Sequence, residues 1–246
     1  MSDKPIAFVT GVGPGTGSAI VRRFSSEGFR VIALARSPDR IRALEQELSD
    51  THAVICDVSS EGEVAEVVAD VRNRYGAPNV LIHNAVGGGW GTFLDIEPKM
   101  LERNFQVNVM GLLHLAREVA PDMIKVGSGT ILVTGNTSAI RGKENFAGFA
   151  PTKAAQRILS ESIARDLGPR GIHVAYVLID AVIDVRACAS GCPMRRTSSS
   201  SSRPPSPMNC GTSTGKTARH GPSSARFVHL GKNGEMRMFE SRRCAM

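Results

Sequence analysis

No stretch of 18 or more apolar residues occurs in the 246-residue chain, so no segment is long enough to cross a bilayer as a helix. The start, Met1-Ser2-Asp3-Lys4-Pro5, runs straight into apolar residues without the pattern of a signal peptide. A cytoplasmic location is therefore expected. Collagen-like and wholly disordered classes are excluded by a composition that is 41% hydrophobic and 22% charged. A single domain with a real core is expected at this length.

Acidic residues nearly vanish after Val185. Residues 1–185 hold 19 Lys+Arg and 21 Asp+Glu, net −2, whereas residues 186–246 hold 11 Lys+Arg and 2 Asp+Glu, net +9. The overall charge of +7 thus comes from the tail. A nucleic-acid arm would interleave those cations with aromatic rings, and no Phe, Tyr or Trp stands between Arg186 and Phe227. Cys188, Cys192, Cys210 and His220 lack the spacing of a zinc finger. The stretch Gly211 to Thr217 lacks the first glycine of a phosphate loop, because Cys210 occupies that place. Neither a metal site nor a nucleic-acid partner is expected.

The first 185 residues alternate strand and helix. Apolar runs at Ile6–Thr10, Val31–Ala35, Ala53–Cys56, Val80–His83, Thr130–Thr134 and Ile172–Ile179 read as strands. Segments Ser18–Glu27, Pro38–Leu48, Val64–Val71, Met100–Met123 and Ala154–Leu167 carry helical spacing. The strands are continuous apolar runs, as expected where both faces of a parallel sheet are covered. The predicted fold is α/β, a doubly wound parallel sheet of Rossmann type on residues 1–185, with an anomalous tail over 186–246.

Between the first strand and first helix stands Thr10-Gly11-Val12-Gly13-Pro14-Gly15-Thr16-Gly17. Glycines there let the backbone approach a pyrophosphate, which the free N–H groups of the helix start attract. Gly11, Gly13, Gly15, Thr16 and Gly17 are the candidate phosphate-binding residues. An Asp or Glu after the second strand would grip the ribose 2′-hydroxyl of NAD. The strand instead ends Ala35-Arg36-Ser37, and a guanidinium suits a 2′-phosphate. NADP(H) is the expected cofactor.

From about Lys4 to Val185 the chain resembles the short-chain dehydrogenase/reductase family. Thr10-Gly11-x-x-x-Gly15-x-Gly17 matches its cofactor motif. Asp57-Val58 is similar to the family's Asp-Val, whose Asp holds the adenine amino group. His83-Asn84-Ala85-Val86 is similar to its Asn-Asn-Ala-Gly with both outer residues changed, which implies cofactor contacts at Asn84 and Ala85. Asn108 resembles the Asn that kinks the long helix and holds a water in the proton relay. Lys153 matches the Lys that holds the ribose and lowers the pKa of a Tyr four residues earlier. In this chain that Tyr is Phe149, which can pack but cannot transfer a proton. The family's Ser, which bonds the substrate oxygen, falls at Asn136 by ungapped counting, or at Ser138 or Thr137 if the loop is shorter. After the sixth strand, Ile179-Asp180 replaces the family's Pro-Gly.

The implied activity is NADP(H)-dependent oxidoreduction of a small carbonyl or alcohol. Asn108, Asn136, Ser138, Phe149 and Lys153 would form the reaction centre, with water, Ser138 or Thr152 as proton source. The alternative is an NADP(H)-binding sensor or scaffold without turnover. Tyr176, inside the sixth strand, reads as a core or interface residue. Trp90, in Gly87-Gly88-Gly89-Trp90-Gly91, fits either an aromatic wall or a plain loop.

The excess of Ser, Arg, Pro, Cys and Gly over 186–246 is that of a GC-rich gene read out of phase. Shifting by one base makes Met208-Asn209-Cys210 read Glu-Leu whatever codons are used. With permitted codons, Met194 to His220 rereads as a string that contains a Pro-started amphipathic helix and resembles the family's C-terminal region. The tail as written is expected to be disordered or poorly packed, with no seventh strand, and a homo-oligomer is expected only if the C-terminal region is native.

Overall fold

A computed structural model describes residues 4–180, 224–230 and 236–241. In chain order the strands are β1 (Ile6–Thr10), β2 (Arg30–Ala35), β3 (Thr51–Ile55), β4 (Val80–His83), β5 (Gly129–Asn136), β6 (Ile172–Asp180), β7 (Ser224–Leu230) and β8 (Met236–Ser241). The helices are α1 (Thr16–Ser26), α2 (Pro38–Glu47), α3 (Glu61–Tyr75), α4 (Pro98–Phe105), α5 (Gly111–Val126) and α6 (Ala150–Leu167). One sheet runs β3-β2-β1-β4-β5-β6-β7-β8. Its first six strands are parallel; β7 and β8 are antiparallel additions.

Strand order reverses between β1 and β4, the place where open α/β sheets bind ligands beyond their carboxyl ends. Alternation along each strand sorts side chains into two cores. Ile6, Phe8, Ile32, Leu34, Leu81, Ile131 and Val133 pack with Val64, Val68, Leu112 and Leu115 on one face. Ala7, Val9, Val31, Ala33 and Ile82 pack with Val21, Ile41 and Leu44 on the other. Every β1 side chain is buried, which is why its sequence shows no polar alternation. Fully burying a branched aliphatic or Phe side chain is worth about 1.5–3 kcal/mol, so these two layers dominate the fold's stability. Ser60 starts α3 by accepting the Glu63 N–H, a cap worth about 0.5–2 kcal/mol.

Three elements differ from the sequence expectation. The helix expected over Met100–Met123 is longer, running from Pro98 to Val126, and its expected kink at Asn108 takes the form of a π-type turn at Gln106–Met110. Helix α6 begins at Ala150, four residues before the expected start, because Pro151 suits the first turn of a helix and Phe149 serves as its cap. The expectation of no strand beyond residue 185 is corrected by β7, which pairs with β6 from Ala175↔His229 to Asp180↔Ser224, and by β8, which pairs with β7. The boundary at Val185, the four-residue Cys/His set, the phosphate-loop-like stretch and residues 194–220 lie outside the described residues.

Candidate active site

The glycine turn is shaped by close backbone approach. Gly11 has φ +66°, and a Cβ there would strike the Ala85 backbone. A Cβ on Gly17 would stand 2.6 Å from the Gly11 carbonyl. At Gly13, by contrast, a Cβ would meet just the Arg40 guanidinium at 4.0 Å, so the backbone there is open to a ligand. Gly15 caps α1 without a side chain, and Thr16 is the first helical residue. Ser18 closes the turn through N–H and hydroxyl bonds to the Gly13 carbonyl.

Thr10 and Asn84 bolt the turn to the sheet. The Thr10 hydroxyl accepts the N–H groups of Asn84 at 3.2 Å and Ala85 at 3.3 Å. Asn84 Nδ2 donates to the Gly11 carbonyl at 2.9 Å, and its Oδ1 accepts from the Thr134 hydroxyl at 3.0 Å. The Asn84 side chain is thus spent on the scaffold.

From this turn a cleft of about 430 Å³ extends past Leu34, Arg36 and Ser37 to Cys56, Asp57 and Val58. Its volume suits a nucleoside. Arg36, Asp39 and Arg40 stand on its rim; Arg40 was not singled out by the sequence, since a charge at the start of a helix resembles any solvated residue. Burial works against ionisation of Asp57. The Ser59 hydroxyl and N–H and the Arg36 charge outweigh it and hold the carboxyl below its ordinary value. The neighbouring Cys56 thiol is pushed up to about 11, chiefly by burial and then by Glu63 and Asp57, so it is inert as a nucleophile.

The residues expected at a reaction centre come together where the π-type turn meets α6. Such turns lack part of the α-helical hydrogen-bond pattern and recur at functional sites. Asn108 lies within it and is fully buried. Its Oδ1 accepts the Gly87 N–H at 2.9 Å, and its Nδ2 donates to the Gly87 carbonyl at 2.9 Å and to the Thr152 hydroxyl at 2.8 Å. That hydroxyl donates in turn to the Phe149 carbonyl at 2.8 Å. Thr152 therefore has no free proton to offer, which corrects the expectation that it could be a proton source. Tyr176 is wholly buried as expected, with its hydroxyl donating to the Lys153 carbonyl at 3.3 Å.

Lys153 is 3% exposed. Its Nζ donates to Gln156 Oε1 at 2.9 Å and to the Thr134 carbonyl at 3.3 Å, and lies over the Phe149 ring. Burial lowers its pKa to about 7. Gln156 Nε2 donates to the Asn108 carbonyl at 2.7 Å, so one buried amide joins the π-type turn to the lysine. Sequence reasoning missed Gln156, because a glutamine inside a helix ordinarily reads as solvated. His83 is also buried; desolvation, followed by the Lys153 charge, takes its pKa down to about 3 against the pull of the Asn108 and Val107 carbonyls. It is therefore neutral, and its Nε2 has no hydrogen-bond partner among the described residues.

Asn136 ends β5 and its Oδ1 accepts the Ser138 N–H at 3.1 Å, shaping a short 3-10 turn over Thr137–Ala139. Ser138 lines a second hollow of about 290 Å³ together with Phe146, Ala147 and Ala150. Trp90 meets Phe146 edge-on, with ring centres 4.5 Å apart, and Phe149 at 5.6 Å. The structure thus places Phe149, Lys153 and Asn108 together, with Asn136 and Ser138 on the adjoining turn.

Residues 5–183 match the family described as short chain dehydrogenase. Among curated proteins, the chain is 30% identical over 185 residues to the 7alpha-hydroxysteroid dehydrogenase of Escherichia coli K12, covering 74% of this chain and 72% of that protein. It is 33% identical over 190 residues to the cyclic-di-GMP-binding biofilm dispersal mediator protein of the same strain, covering 76% and 77%. Among solved structures, a short-chain dehydrogenase from Streptomyces avermitilis superposes with a TM-score of 0.68 at 30% identity, covering 70% of this chain and 64% of that one. Actinorhodin polyketide ketoreductase with NADPH gives 0.68 at 28% identity, covering 72% and 70%. These relatives, the Rossmann sheet and the glycine turn lead to one assignment: the chain belongs to the short-chain dehydrogenase family of oxidoreductases, which bind nicotinamide cofactors.

Proposed function

We propose that the protein is an NADP(H)-dependent oxidoreductase acting on a small carbonyl or alcohol. The observation that carries this reading is the cleft that joins the glycine turn to Arg36 and Asp57 beyond the carboxyl ends of the strands, with the buried Lys153 bonded to the Thr134 carbonyl of β5. Gly11, Gly13, Gly15, Thr16 and Gly17 would cradle the pyrophosphate, Arg36 would pair with the 2′-phosphate, and Asp57 and Val58 would hold the adenine. Asn84 and Ala85 would shape the floor, and Lys153 would hold the ribose. NADPH-bound ketoreductase and an NADP-bound metagenomic short-chain oxidoreductase, the latter with a TM-score of 0.67 and 28% identity, are similar structures.

The cofactor supplies hydride chemistry when bound. Asn136 or Ser138 would hold the substrate oxygen, with Ser138 favoured because it lines the hollow. Phe149 packs at the place where the family carries Tyr. In the reducing direction the substrate oxygen would take its proton from water, or from the Ser138 hydroxyl with water restoring that proton. Positioned acid catalysis is worth about 10²–10⁴-fold, so the site is slow without being inert. We infer further that the tail over 186–246 arose by a change of reading frame, and that the protein works in the cytoplasm. Among the described residues, no helix is long and apolar enough to cross a membrane.

A second reading, an NADP(H)-binding sensor without turnover, is favoured by one observation: Phe149 carries no proton, and the nearby Thr152 hydroxyl is already committed. Substrate-dependent NADPH oxidation across a carbonyl panel separates the two. Turnover supports the enzyme; tight NADPH binding without turnover supports the sensor.

A further inference from the structure

The chain's single tryptophan stands against the reaction centre rather than in a core. Trp90 is 55% exposed, yet its ring touches both Phe146 and Phe149. It is not what anchors its loop. Met100 does that, with its side chain packed where a Cβ on Gly89 would lie and 3.3 Å from the Cβ position of Gly148. The Gly91 N–H adds a bond of 3.1 Å to the Asn145 carbonyl. A large indole held in place by other contacts, with much of its surface left open beside Phe149, is suited to meet a second flat ring. Phe146, its edge-on partner, also lines the hollow that contains Ser138. At about 290 Å³ that hollow lies at the lower end of ligand-pocket sizes, and Ala147, Ala150 and Pro151 give it small apolar surface beside the cations Arg141 and Lys143.

We propose that the substrate is an aromatic carbonyl compound of one or two rings, whose ring lies against Trp90 beside Phe149. This rests on the redox reading above: the carbonyl carbon gains a hydride from the reduced nicotinamide, the oxygen gains a proton from water, and the product is an aryl carbinol. A contact between aromatic rings changes affinity by a factor of about two to ten, so aromaticity rather than bulk sets the preference.

The test compares 1-tetralone with its saturated counterpart 1-decalone on the full chain with saturating NADP+, where neither ketone can be reduced. Trp90 emission is followed with inner-filter correction, and binding is measured independently by calorimetry. Tetralone is expected to quench the emission saturably and to bind about five- to tenfold more tightly than decalone. In Trp90→Leu that ratio falls to within about twofold, whereas Trp90→Phe retains most of it. Absence of saturable tetralone binding, equal binding of both ketones, or an undiminished preference in Trp90→Leu overturns the inference. With NADPH, selective tetralone binding without cofactor oxidation contradicts the redox reading alone. Equal consumption of NADPH with both ketones, together with equal binding, contradicts the aromatic reading alone.

Discussion

The Lys153 ammonium lies over the face of the Phe149 ring, 5.9 Å from its centre, within range of a cation–π contact. The pair keeps the i, i+4 spacing of an acid and its activating lysine while lacking the acid. The remaining lysine contacts, to Gln156 and Thr134, are intact.

Restoring the hydroxyl should therefore restore acid catalysis. Phe149→Tyr is expected to raise kcat for ketone reduction at least tenfold, toward the range of about 10²–10⁴ typical of a positioned acid, with little change in NADPH affinity. Steady-state kinetics at fixed NADPH checks this. An unchanged kcat would mean that the substrate oxygen does not approach this ring.

On the proposed NADP(H) reading, Arg36 sets cofactor choice. Hydrogen bonds to charged groups contribute about 1.5–3 kcal/mol, so Arg36→Ala should weaken NADPH by roughly 10- to 100-fold while changing NADH little. Paired fluorescence titrations of the two cofactors read this directly. Equal weakening of both would contradict the 2′-phosphate assignment.

Gln156→Leu removes the partner of the Asn108 carbonyl and of Lys153 together. Leaving a buried polar group unpaired costs about 1–3 kcal/mol, which for a domain of this size lowers Tm by several degrees. Thermal unfolding at neutral pH is the measurement, and an unchanged Tm would show that water replaces the amide without loss.

The pH dependence of stability follows from Lys153. Its folded-state pKa of about 7 lies below its ordinary value of 10.5, so between those limits the unfolded chain binds more protons than the folded one. Stability from this group therefore rises with pH across that window. Lys153→Met should be more stable than the parent at pH 6, with the gain shrinking between pH 7 and 10.5. Melting curves across that range check the sign, and a gain that grows with pH would contradict it.

Much of this was readable in the sequence, for physical reasons. The six parallel strands are continuous apolar runs because helices cover both faces, and the glycine turn is constrained by backbone contacts such as Gly11 against Ala85. The break in the long helix was legible at Asn108 through the family resemblance, but its π-type form was not, because apolar spacing continues through Gln106–Met110 as if the helix were regular. Gln156 was hidden because its burial depends on a carbonyl 48 residues away. Thr152 was misread for the same reason: its hydroxyl is engaged by Asn108, 44 residues distant. Strand β7 was missed because composition, and not pattern, dominates the tail.

The most direct test of the central claim is substrate-dependent oxidation of NADPH by the full chain across a carbonyl panel, with Lys153→Met as control. The account predicts slow consumption that exceeds that of NADH and is lost in the variant. Tight NADPH binding with no consumption by any carbonyl would contradict it.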